Sequence, residues 1–141
     1  VLPLDDEKDI FIDLCATGTK QERNDKINRL IQGVYSIAMF MIESGIPQAY
    51  IWYDKVNGVI QEYSVEQEEE LYWMFQELFR SKTTTEESEL MEAYVDWGKG
   101  RLLESALYLT VADHESLDSG NLVRDRLEVM DLRGDVIEDQ E

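Results

Sequence analysis

Residues able to carry covalent or metal chemistry are few in this chain. His114 is the only histidine and Cys15 the only cysteine, which excludes sites built from two or three imidazoles and any disulfide within the chain. A Cys15–His114 nucleophile and base would need the thiol beside the imidazole and an oxyanion-binding turn. Neither neighbourhood carries an elbow motif of that kind. His114 stands between Asp113 and Glu115, which favour a protonated ring, and it reads as a surface residue. Gly98-Lys99-Gly100 is no phosphate cradle, because no strand is expected before it and no Ser or Thr follows the lysine.

Carboxylates, by contrast, are abundant: 31 Asp and Glu oppose 13 Lys and Arg, giving a net charge of −18. Acids three or four residues apart on a helix can hold Mg²⁺. Glu86, Glu87, Glu89, Glu92 and Asp96 superficially resemble the acids of the MazG-type nucleotide pyrophosphatases, which use Glu-Glu-x-x-Glu and then Glu-x-x-Asp on the next helix. Neither spacing is present, and all five acids fall in one predicted helix. The cluster reads as a solvated face, and no metal or cofactor site is assigned. A Mg²⁺-dependent, pyrophosphatase-like hydrolase is the third of three functional readings.

Binding residues are better marked. On a helix from Val65 to Arg80, the expected core stripe is Leu71, Phe75, Leu78 and Phe79. Glu66, Glu70, Trp73 and Glu77 project to the opposite side, placing a tryptophan within a row of carboxylates. Tryptophan is a frequent hot spot, and flanking charge steers and registers a partner. The competing expectation is that the hairpin or the end of the chain covers Trp73. Tyr53, with Ile60, is a second candidate contact on the hairpin face turned from the core, or at an edge open to strand addition.

The elements that must position these residues follow from periodicity and caps. Asp5, Asp6 and Glu7 ahead of Ile10, Phe11, Leu14 and Cys15 predict a short helix stopped at Gly18. Thr19-Lys20-Gln21-Glu22 is a capping box opening a long helix, with a stripe of Ile27, Leu30, Ile31, Val34, Ile37, Ala38 and Met41. Its second half is apolar all round, which predicts burial on more than one side. Gly45 and Pro47 end it. Tyr50–Val56 and Val59–Tyr63 flank Asn57-Gly58 and predict a β-hairpin over about 49–63, with Val56 opposite Val59 and Trp52 opposite Tyr63.

A capping box at Ser64–Gln67 opens the next helix. A third helical stretch runs from the Thr83–Thr85 caps to about Asp113, breaking near Gly98 and Gly100, where the apolar face slips in phase. Residues 122–134 suit a helix slightly better than a second hairpin made of 127–132 and 135–137. Residues 138–141 are an acidic tail expected to fray. The fold class predicted is α+β: a mainly helical single domain over 1–141, with one hairpin packed on long helices.

With 43% hydrophobic and 10% aromatic residues, the chain can bury a core. It has no apolar run near the roughly 20 residues that span a bilayer, and its first residues lack a secretory pattern. These features predict a soluble, cytoplasmic protein. Its charge discourages contact with nucleic acid and anionic membranes, so a basic protein surface is the expected partner. The leading reading is a non-enzymatic acidic protein that binds and inhibits or regulates a basic nucleic-acid-processing enzyme, for example a polymerase, nuclease or restriction system. In logic, though in no motif, it resembles phage host-takeover proteins and toxin-neutralising immunity proteins. DNA carries about one charge per 1.7 Å of axis, a field that helical carboxylates can partly imitate. The alternative is a chaperone or assembly factor holding a client protein.

Overall fold

The computed structural model describes residues 7–98, 105–113 and 127–133. Its elements run β1 (Lys8–Ile12), α1 (Lys20–Ser44), β2 (Gln48–Asp54), β3 (Val59–Val65), α2 (Glu68–Arg80), α3 (Leu90–Gly98), β4 (Ala106–Thr110) and β5 (Leu127–Asp131). The strands form one sheet in the order β3-β2-β1-β4-β5. β1 pairs in parallel with β2 and β4, β4 pairs in parallel with β5, and only β3 is antiparallel, to β2. The expected mainly helical fold with one hairpin is therefore overturned: this is a mixed α/β fold around a five-stranded sheet.

The reason lies in strands buried on both faces. Ile10, Phe11 and Ile12 are all fully buried, and so are nearly all of the apolar residues of Ala106–Leu109. Such runs lack the alternation that betrays a half-exposed strand, and periodicity alone does not separate them from a buried helical segment. The short helix expected before Gly18 is thus β1. The stretch expected to be helical to about Asp113, with a break near Gly98 and Gly100, is instead α3, which ends at Gly98, and the strand β4, which begins at Ala106. Residues 127–131, expected slightly more as a helix than as part of a hairpin, form β5, which pairs in parallel with β4; the proposed hairpin mate 135–137 lies outside the described residues. The rest of that uncertain region, with His114 and the tail 138–141, lies outside the described residues.

Alternate strand residues feed two cores. Ile10, Ile12, Tyr50, Trp52, Leu107 and Leu109 pack with Leu30, Val34 and Ala38 of α1 and with Leu71, Met74, Phe75 and Leu78 of α2. Phe11, Ile51, Ala106 and Tyr108 pack with Leu90 and Tyr94 of α3. The sheet is therefore covered by α1 and α2 on one face and by α3 on the other. Among the described residues, no helix is long and apolar enough to cross a membrane.

Local signals hold where side chains cap the backbone. The Thr19 hydroxyl accepts the Glu22 amide at 3.1 Å and the Glu22 carboxylate accepts the Thr19 amide at 2.8 Å. Gly45 closes α1 with φ 73°, a left-handed conformation that costs glycine little. The hairpin is real, but its turn is longer than the expected Asn57-Gly58 pair: Asp54 faces Val59, and Tyr50 faces Tyr63. The register differs from expectation by two residues, so every side chain keeps its face. Trp52 and Tyr63 still stack, with ring centroids 5.4 Å apart. Asp54 explains the longer turn, because its carboxylate gathers the amides of Val56 and Asn57 inside the loop.

Candidate functional site

The second helix begins later than the Ser64–Gln67 box implied. Val65 closes β3, and Glu70 turns back to accept the amides of Glu66 at 2.7 Å and Gln67 at 3.2 Å. Glu68, Glu69 and Glu70 fall in the first turn and Arg80 in the last, both favoured by the helix dipole. Leu71, Met74, Phe75 and Leu78 are buried, whereas Tyr72, Trp73 and Phe79 are 52%, 61% and 65% exposed.

Between α2 and α1 runs an open cavity of about 770 Å³, lined by Ile31, Tyr35, Tyr72, Phe75 and Phe79, with Gln32, Ser36 and Gln76 as its polar groups. The rings are in contact: Tyr35 and Phe75 lie 6.5 Å apart by centroid, and Phe75 and Phe79 stack at 5.6 Å. The Tyr72 hydroxyl donates to Glu68 at 3.0 Å, and that carboxylate pushes the phenol above its ordinary range. Phe40, one turn beyond Ser36 on α1, is 63% exposed. This departs from the expectation that the apolar second half of α1 is buried on more than one side.

The five residues expected to bind a partner are not brought together. Trp73 is uncovered, against the expectation that the hairpin or the chain end shields it. Glu66 is exposed, but Glu70 is engaged at the helix start, and Glu77 pairs with Arg80 at 2.8 Å. Tyr53 is half-buried on the far side of the sheet, packed with the α3 cluster, and shares no surface with Trp73. Phe79, assigned to the core, lies on the surface. At 100° per residue it stands about 80° from Leu71, on the side facing α1. Tyr35, Tyr72, Phe79 and Phe40 are the functional candidates that periodicity missed, and their signal was a surplus of apolar residues over what one helix face can bury.

A second constellation sits where the topology reverses. The chain leaves β1 for β2 on one side and returns to β4 on the other, and open α/β sheets bind ligands beyond the strand ends at such a point. Here Asp13, 2% exposed, follows β1. Its carboxylate accepts the Ser88 hydroxyl at 2.7 Å and the Thr110 hydroxyl at 2.9 Å. The Tyr108 hydroxyl lies 3.3 Å from that of Ser88, and burial raises the phenol strongly. Beside it, the Thr84 amide donates to Leu14 at 2.8 Å and the Ala16 amide to Thr84 at 3.0 Å. Burial pushes the Cys15 thiol up, with Asp13, Glu87 and Glu89 acting in the same direction. The segment before α3 thus lies across the end of β1, and its groups stitch strands and loop together.

Of the acids weighed for metal binding, Glu86, Glu87 and Glu89 precede α3, and only Glu92 and Asp96 belong to it, so one helix does not carry all five. Glu89 pairs with Lys55 at 2.7 Å. Among the described residues, no group of three or more His, Cys, Asp or Glu is placed to hold a metal ion. Compared with protein-family models, with curated proteins and with solved structures, the chain matches none.

Proposed function

We propose that this chain is a non-enzymatic binding protein of the cytoplasm that occupies a basic protein surface and thereby regulates its owner, a nucleic-acid-processing enzyme such as a polymerase, nuclease or restriction system. The carrying observation is the exposed aromatic face of α2, with Tyr72, Trp73 and Phe79 beside Glu66, Glu68 and Glu69, on a chain of net charge −18. Scattered exposed apolar residues are ordinary, but Tyr72 and Phe79 line an open groove and Trp73 stands about 100° further round the helix, and large aromatic rings are enriched at interfaces. The surrounding carboxylates would raise the rate of encounter with a basic partner and disfavour acidic ones.

The test is capture from a lysate of the native host at low salt, with elution by a salt ramp. A basic nucleic-acid enzyme, released by moderate salt and lost with Trp73→Ala, is the expected catch, and its activity should fall as the protein is titrated to one equivalent. Retention of only non-basic proteins that resist salt would transfer support to a chaperone or assembly factor. That second reading draws on the same apolar groove, with the charge serving solubility.

A further inference from the structure

Resting on that reading, we propose that the groove between α1 and α2 receives a single amphipathic helix of the partner, apolar along one stripe and flanked by Lys and Arg. The walls decide between a helix and an extended segment. Both are α-helices, whose amides and carbonyls bond within the helix, so the groove offers no ladder to an extended peptide. A helical peptide satisfies its own backbone and needs only a complementary apolar strip.

The strip has the right period. Tyr72 and Phe79 bound it seven residues apart, about 10.5 Å along α2, with Phe75 between them. That spacing meets apolar residues at i, i+3 or i+4, and i+7 of a helix lying alongside. Tyr35 forms the opposite wall.

Charge selects the flanks. Glu68 and Glu69 are exposed on α2, as is Glu43 on α1, seven residues beyond Ser36 and so on the same side of the helix. Arg29, seven residues before Ser36, is an exposed cation on that side of α1, and Arg80, paired with Glu77, and exposed Lys82 stand at the Phe79 end of α2, so basic residues of the partner are met by Glu68 and Glu69 at the Tyr72 end. A second copy of this chain is the wrong occupant, because it carries the same net charge of −18 and would be repelled.

The experiment uses the whole protein and a fluorescein-labelled peptide of about 15 residues, long enough to form a helix when bound, with Leu at the stripe positions and Lys on both flanks. One control replaces Lys by Glu, and another scrambles the stripe at constant composition. Anisotropy at low salt should show the basic peptide bound at least ~10-fold more tightly than either control. Phe79→Asp and Tyr72→Ala should each weaken it ~10-fold or more, while circular dichroism and urea midpoints stay close to those of the parent. Equal binding of the scrambled peptide would show charge without a groove and overturn the proposal. Indifference to Phe79→Asp would do the same, as would a dimer in light scattering that Phe79→Asp dissociates. If a basic enzyme is still captured through Trp73 while the peptide fails, the helical occupant falls and the broader function stands; loss of both removes both.

Discussion

Removing the Asp54 carboxylate tests whether the β2–β3 register is set where the structure places it. The carboxylate accepts the backbone amides of Val56 at 3.0 Å and Asn57 at 3.3 Å on one oxygen. On the other it accepts the side-chain amides of Asn57 at 2.8 Å and Gln61 at 3.1 Å. Burial alone would raise its pKa, but these four donors favour the charged form and together hold it below the ordinary 3.8. Asp54→Asn keeps an oxygen for the two backbone donors and sets an amino group against the two side-chain amides. Those amides can turn their own oxygens toward it, so the expected cost is ~1–2 kcal/mol. Asp54→Ala removes a buried acceptor, 4% exposed, from all four donors of an exposed turn, at ~3 kcal/mol.

The pH dependence has a definite sign. A folded-state pKa held below the unfolded value near 3.9 gives stability that is fully present well above that value and is lost as pH falls through the folded pKa. Urea unfolding followed by tryptophan fluorescence, from about pH 7 down to about pH 3, should show a penalty for Asp54→Asn that is constant above about pH 5.5 and shrinks below about pH 4. An equal penalty at both ends of the range, or none at neutral pH, would refute the role assigned to the carboxylate.

Three further outcomes are expected. Ile12→Ala, at a fully buried position of β1, should cost ~2–5 kcal/mol, and Phe79→Ala no more than ~1 kcal/mol from its stack on Phe75; equal costs in urea unfolding would mean that the α2 face is not open. Gly45→Ala should cost ~1–2 kcal/mol for conformation alone, because φ is 73° and an added Cβ meets nothing within 4 Å; an unchanged urea midpoint would contradict the left-handed cap. The Cys15 thiol, buried and raised, should react with a disulfide reagent at about pH 8 only as the protein unfolds, and fast stoichiometric labelling of native protein would place it at the surface.

What was legible in the sequence was what side chains do to their own backbone. The Thr19–Glu22 box, the Gly45 stop and the hairpin around Asn57-Gly58 are local bargains between neighbours, and each is present. Illegible were the elements whose character depends on distant partners. Lys8–Ile12 is a strand because Gln48–Ile51 and Ala106–Leu109 lie on either side of it, and nothing within five residues announces that. β4 was hidden for the same reason. Of the candidate site, the outward direction of Trp73 follows from 100° steps along an amphipathic α2, whereas its 61% exposure departs from the expected cover by the hairpin or chain end. The groove was not legible, since it exists only once α1 lies beside α2, and Phe79 was spent on a core that Met74 completes.

The position of the exposed rings gains meaning from what occupies the end of the sheet. A sheet that reverses between β1 and β4 would ordinarily offer a crevice beyond its strand ends. In this chain Asp13 stands there with Ser88 and Thr110 hydroxyls donated to its carboxylate, and Thr84 is paired by backbone to Leu14 and Ala16. Those groups are engaged with one another, and satisfied buried hydroxyl–carboxylate contacts are costly to open. The α1–α2 face differs on each count: its rings are solvated, its polar groups are few, and a partner covering it breaks no internal hydrogen-bond network. Burying Phe79 or Trp73 in a complex would recover free energy at roughly 25 cal/mol per Å² of apolar surface, whereas entering the Asp13 cluster would first cost the bonds that hold β1, β4 and the segment before α3 together. A partner docking on the helix face would therefore meet a lower energetic cost than one entering the end of the sheet.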